Sequence, residues 1–154
     1  TGALTFASGD DTNLQTDGQI SISGDFTLGI KMFSTSTNGT FIADNETSSE
    51  LFKISALNKI TIKTDSAAAV LQLDSGEFDD DYIVITRVSN SFTLHKNGVA
   101  QSTSVTLAGT IDIDAIGIRA VDANGFDGTI KEVQIYSSSS ATLTSNINNR
   151  LSSL

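Results

Sequence analysis

Phe126-Asp127-Gly128-Thr129-Ile130-Lys131-Glu132-Val133-Gln134-Ile135-Tyr136 is the stretch on which the fold turns. Its Ile, Val and aromatic residues suit a half-buried pleated surface, so it is predicted as a strand. Phe126, Gly128 and Ile130 alternate onto one face, whereas Val133 and Ile135 fall on the opposite phase. Either both faces of this strand are covered, or a bulge near Lys131-Glu132 resets the pleat. Gly128 leaves room for a neighbouring backbone. A serine run, Ser137 to Ser140, follows, and then Leu143, Ile147, Leu151 and Leu154 recur at helical spacing.

Upstream, short alternating segments are separated by Gly, Asn, Asp and Ser. Ala3 to Ala7, Gln19 to Ile22, and a longer strand presenting Phe26, Leu28, Ile30 and Met32 on one face open the chain. Asn38-Gly39 and Asn97-Gly98 carry the dipeptide of two-residue hairpins, where both positions must accept positive φ. Thr40 to Ala43 is then the return strand of the first hairpin. Glu50 to Ile54, Lys59 to Lys63, Tyr82 to Val88, Ser91 to Lys96 and Ile111 to Arg119 read as further strands. Ala67 to Leu73 is a strand candidate whose three alanines also suit a helix. Ile83, Val84 and Ile85 in succession indicate burial on both faces. About twelve short strands at this spacing make a two-sheet sandwich. The expected core is Phe6, Phe26, Leu28, Ile30, Ile83, Ile85, Ile118, Phe126, Ile130, Val133 and Ile135.

The 154 residues suffice for one domain with a sizeable core, 1–154. No apolar run approaches the roughly 20 residues needed to span a bilayer. No leader with a basic segment followed by an apolar one opens the sequence. Thr1 is not an initiator Met, so the chain is read as processed or as part of a longer protein. Eighteen acidic against nine basic residues give a net charge of −9, which repels nucleic-acid phosphates and anionic membranes. Neither nucleic acid nor membrane insertion is therefore expected. Cysteine is absent, which excludes disulfides, thiolate metal sites and a Cys nucleophile.

The order of these segments resembles the concanavalin A-like jelly-roll domains, the laminin G-like and pentraxin-like members in particular. The closing strand is similar to their Phe-x-Gly-x-Ile-x-Glu-Val-x-Ile-Tyr pattern. Ala3-Leu4-Thr5-Phe6 followed by Ile22-Ser23-Gly24-Asp25-Phe26-Thr27-Leu28 is similar to their opening. Tyr82 stands where the laminin G-like pattern has Trp, Thr86-Arg87 matches its Thr-Arg pair, and His95 takes a Tyr position before Lys96-Asn97-Gly98. The resemblance implies an all-β, two-sheet antiparallel jelly-roll sandwich with a short C-terminal helix. It further implies a non-catalytic module that binds a glycan or cell-surface ligand, within a larger extracellular or virion tail or adhesion protein. The alternative is a structural module docking to other subunits of a bacteriophage particle.

Asp44-Asn45-Glu46 resembles the Asp-Asn-Glu of pentraxins, whose Asp and Asn are calcium ligands. Calcium takes several oxygens, so a second loop must contribute. There Asp122 matches the pentraxin Asp, while Ala120 or Val121 stands in place of its Glu; Asn124 and Asp127 lie nearby. The implied ligand-binding set is Asp44, Asn45, Glu46, Asp122 and Asn124, and the implied calcium set is Asp44, Asn45, Asp122 and Asp127. Without the resemblance, Asp44-Asn45 reads as an Asx-type turn and 122–125 as a plain loop.

Catalysis finds less support. Thr110-Ile111-Asp112-Ile113-Asp114 is similar to the carboxylate strand of the glucanases that share this fold. Retention there needs two carboxyl groups about 5–5.5 Å apart, and here Thr110 occupies the nucleophile position. His95, the sole histidine, has no Gly-x-Ser-x-Gly elbow to serve. Asp79-Asp80-Asp81 is read as a solvated loop, because alternate side chains of an extended triplet diverge.

Overall fold

The computed structural model describes residues 2–7, 13–35, 37–65, 67–118 and 125–154. Among the described residues, twelve strands form two six-stranded antiparallel sheets, and one helix follows them. The first sheet has the order β1 (Leu4–Phe6), β12 (Gly128–Tyr136), β3 (Phe26–Ser34), β8 (Asp81–Val88), β9 (Ser91–Lys96) and β10 (Val99–Thr106). The second runs β2 (Leu14–Ile22), β11 (Ile111–Ile116), β4 (Gly39–Ala43), β5 (Leu51–Ala56), β6 (Lys59–Lys63) and β7 (Ala68–Gln72).

Between the sheets lies one apolar core. Phe26, Leu28, Ile30 and Met32 of β3 face Phe41, Phe52, Ile54, Ile60 and Ile62 of the second sheet, and all are buried. Phe26 meets Phe52 and Phe92 edge to face, at 6.0 and 5.7 Å between ring centroids. Such pairs suit the ring quadrupoles. Register aligns Leu28 with Ile85 and Ile30 with Ile83, so apolar residues stack across neighbouring strands on the same face.

The phase change in the closing strand is a bulge. Ile130 pairs with Met32, yet Glu132 pairs with Lys31, so Lys131 is the extra residue. It returns Val133 and Ile135 to the core face shared by Ile130. Ile130 and Phe126 are buried as expected, but Val133 and Ile135 are only half-buried. The cause is the neighbour: β1 pairs with Gly128, Thr129 and Ile130 and reaches no further along β12. Gly128 has φ 147°, and a Cβ there would collide with the carbonyl of Phe33 on the paired strand.

Two turns depart from the sequence reading. Asn38-Gly39 is not a hairpin: β3 and β4 belong to different sheets, and neither residue has positive φ. The chain crosses the sandwich there. Conversely, Ser89 and Asn90 adopt φ 49° and 67° and form the tight turn between β8 and β9. Asn97-Gly98 is the expected hairpin, at φ 49° and 81°. Ala68–Gln72 is strand, not helix. The strand expected to reach Arg119 ends at Ile116, where Gly117 takes φ 90°; Arg119 itself lies outside the described residues.

The helix α1 (Ala141–Ser152) is capped by Ser140, whose Oγ accepts the Leu143 N–H at 3.1 Å. It lies on the outer face of the first sheet, where Ile147 and Leu151 pack on Val84. Leu143 and Leu154 are half-buried beside them. Gly29 makes the seat: any Cβ at that position would run into Ile147. Arg150 clamps the helix to β12 through Glu132, with Nη2 2.5 Å and Nε 3.0 Å from the carboxylate. Among the described residues no helix is long and apolar enough to cross a membrane.

Phe126 is fully buried and meets Phe6 edge to face at 6.1 Å. Phe126→Ala should therefore cost about 3–5 kcal/mol, as for other buried aromatics. Val133→Ala, at the half-covered end of the same strand, should cost much less. Urea midpoints of the two variants measure the difference.

Candidate functional site

β4 ends at Ala43, and the loop 44–50 that follows serves the edge of β11. β4 pairs with β11 only at Ala43 and Ile42. Beyond that point the loop's own groups take over. The Asn45 N–H donates to Asp114 Oδ1 at 2.7 Å, and the Asp112 N–H donates to Glu50 Oε2 at 3.0 Å. Asp44 is buried, and both its carboxylate oxygens are engaged within the loop. Oδ1 accepts from the Glu46 N–H at 2.7 Å and Oδ2 from Thr47 Oγ1 at 3.1 Å, which is an Asx turn with a second tie. The Glu46 side chain is exposed.

The residues assigned to a shared cation site are thus placed as follows. Asp44, Asn45 and Glu46 are contiguous in this loop. Asp122 and Asn124 lie outside the described residues. Asp127 sits at the other end of β4: its carbonyl accepts from the Thr35 N–H at 3.0 Å, and Gly125 bridges Thr40. Thr40 and Asp44 are about 13 Å apart along the strand at the usual rise per residue. Among the described residues, no group of three or more His, Cys, Asp or Glu is arranged to hold a metal ion.

Glu50 is the electrostatic cost of this loop. Burial raises its pKa, and the neighbouring Asp112, Asp44 and Asp65 carboxylates raise it further, against the lowering effect of the Asp112 N–H. A raised carboxylate pKa means that the folded chain holds the proton more tightly than the unfolded one. The ionised group therefore costs stability above its folded pKa, and the cost fades as pH falls towards the ordinary glutamate range. Glu50→Gln, which keeps an acceptor for Asp112, should melt at or above the wild type at neutral pH. The gap should close as the pH is lowered. A lower melting temperature at neutral pH would contradict this assignment.

Asp79-Asp80-Asp81 meets lysines of the same chain. Lys31 and Lys131 lie 3.4 and 3.7 Å from Asp80, and Lys96 is 2.9 Å from Asp81. Burial opposes ionisation of Asp81, but the Asp79 N–H, Lys96 and Asn97 outweigh it and hold its pKa below the usual range. The triplet anchors the start of β8.

A second recess was not singled out from the sequence. Between α1 and the outer faces of β8 and β9 lies a groove of about 570 Å³, walled by Tyr82, Thr86 and His95 below and by Ser140, Thr144, Ser145 and Asn148 on the helix side. No acidic or cationic Asp, Glu, Lys or Arg lines it. Burial lowers the His95 pKa, so the imidazole is neutral at physiological pH. Asn148 Oδ1 is buried without a hydrogen-bond partner. Tyr82 and His95 were readable only as packing positions, because the groove exists through a tertiary contact: the helix docked at Gly29. The groove offers neutral donors and acceptors with one phenol, which suits hydroxyl-rich ligands and supplies no carboxylate for acid–base chemistry.

By sequence, no protein-family model and no curated protein matches the chain. Solved structures do. A native heptameric SAP-like pentraxin from Limulus polyphemus superposes with a TM-score of 0.66 at 8% identity, covering 95% of this chain and 79% of that one. The fold is the concanavalin A-like jelly roll. The same jelly roll relates the chain to the mouse laminin alpha1 chain, domains LG4-5, with a TM-score of 0.63 at 11% identity over 89% of this chain and 42% of that one. It relates it also to the Ruminococcus gnavus IT-sialidase CBM40 bound to alpha2,3 sialyllactose, at TM-score 0.61 and 12% identity, covering 89% and 96% of the two chains. At these identities the likeness is one of fold.

Proposed function

We propose that this jelly roll is a non-catalytic binding module of an extracellular protein, and that it takes a neutral glycan in the groove beside α1. The observation that carries the reading is the groove's lining, which joins hydroxyl, amide and ring side chains and holds no Asp, Glu, Lys or Arg. Tyr82 supplies the apolar ring that a pyranose face prefers. A structural neighbour bound to alpha2,3 sialyllactose supports the class. The absence of a cation from the lining favours uncharged sugars over sialylated ones.

A glycan array followed by calorimetry tests this. Neutral oligosaccharides should bind, and Tyr82→Ala and Asn148→Ala should each weaken them by about tenfold, the equivalent of one lost hydrogen bond or ring contact. A preference for sialylated glycans, or affinity unchanged in both variants, would place the site elsewhere.

We further propose that the Asp44-Asn45-Glu46 loop is a structural turn and that calcium is not required. The committed oxygens of Asp44 support this. A metal bound only by the folded state raises the melting temperature. The midpoint should therefore be the same in millimolar calcium and in chelator, and a calcium-dependent rise would assign the ion to this loop.

A further inference from the structure

We propose that His95 makes ligand choice in the groove beside α1 depend on pH, an inference that rests on the reading of that groove as a glycan site. The neutral imidazole admits uncharged sugars, and the protonated one turns the groove to sugars that carry a carboxylate. Position comes first. In register His95 lies between Val84 of β8 and Ala100 of β10, and such cross-strand partners share a face. Val84 is roofed by Ile147 and Leu151 of α1, whereas Ala100 is small and exposed, so the imidazole is covered on one side only. Among the described residues the ring has no hydrogen-bond or ion-pair partner, and neither of its nitrogens is sealed from solvent. It stands in the groove wall ready to meet a ligand.

Charge decides what it would meet. His95 is the sole histidine of the chain, and histidine is the side chain that ordinarily titrates between pH 5 and 8. The elements around it supply no countercharge. β8 adds the Tyr82 phenol to the groove, and its two charged residues are engaged elsewhere: Asp81 with Lys96 of β9 at 2.9 Å, and Arg87 with Asn90 at 2.6 Å. β10 has no ionisable side chain. On α1 the one charged residue, Arg150, is paired with Glu132 of β12. Beyond Tyr82, Lys31 of β3 is held by Asp80 at 3.4 Å. A proton on His95 therefore gives an otherwise uncharged lining a single positive charge with no carboxylate to answer it. A carboxylated ligand answers it through a charge-assisted hydrogen bond. In the unliganded chain burial lowers the His95 pKa, so the uncharged groove is the form present at neutral pH. By linkage, a ligand that prefers the protonated ring must raise that pKa.

Because the chain has one histidine, NMR follows its ring signals without ambiguity through a titration from about pH 8 to about pH 4.5. At constant ionic strength, saturating methyl glucuronide or methyl sialoside should raise the His95 pKa by about one unit, the equivalent of tenfold tighter binding to the protonated form. The sugar acid that raises it further identifies the source of the carboxylate. Methyl glucoside and acetate should not raise it. Calorimetry should find that sugar acid bound about tenfold more tightly at the acid end than at neutral pH, and His95→Gln should abolish the difference. A pKa moved by neither sugar acid, one moved as far by acetate, or a pH dependence that survives His95→Gln would overturn the proposal while leaving the neutral-glycan site in place. Neutral glycans that fail to bind at neutral pH would sink the underlying reading of the groove, and this one with it.

Discussion

The structure depends on covering β3 from both sides. Every residue from Phe26 to Ile30 is buried, including Thr27 and Gly29, which face away from the core. One face meets the second sheet, and the other meets α1. A strand so enclosed must surrender its side chain where the helix comes closest, and Gly29 does so. Its neighbour β8 follows the same logic, with Ile83 and Ile85 inward and Val84 outward under Ile147 and Leu151. Once these central strands are fixed, β12 and β9 add alongside, and the remaining elements are edges and caps.

Part of the acid excess serves backbone amides at loops and strand irregularities. Asp25 accepts the Ser89 N–H, Asp65 that of Thr110, Asp74 that of Ser102, and Asp114 that of Asn45. Carboxylates here satisfy amides that no ladder reaches, that of Ser102 at the bulge of β10 among them. At Asp74 the bonds from the Ser102 hydroxyl and N–H lower the pKa of the carboxyl. A chain without proline or cysteine builds its turns in this way, and much of its net charge is architectural.

The parts legible in the sequence are those with a local code. Alternation in β3 and β12, the phase slip at Lys131, the Asn97-Gly98 turn and the stripe Leu143, Ile147, Leu151 each carry their own periodicity. Asn38-Gly39 misled because the dipeptide permits a hairpin without specifying which strand returns. Ser89-Asn90 made the hairpin with residues that only tolerate positive φ. The half-burial of Val133 and Ile135 depends on where β1 stops, and the groove on where α1 lands, so neither is written in the residues concerned. The Asp44 motif was visible as a motif, but its hydrogen bonds to Glu46 and Thr47 were equally consistent with the plain turn.

α1 docks on β3 and β8 through a small apolar cluster separate from the core between the sheets, so its release would bare the outer face of those strands and leave that core closed. Local release of this kind lies below the free energy of global unfolding. The wall formed by Ser140, Thr144 and Asn148 would leave with it. Any molecule held between helix and sheet is then coupled to helix docking, and occupancy of the groove becomes a latch on the C-terminus.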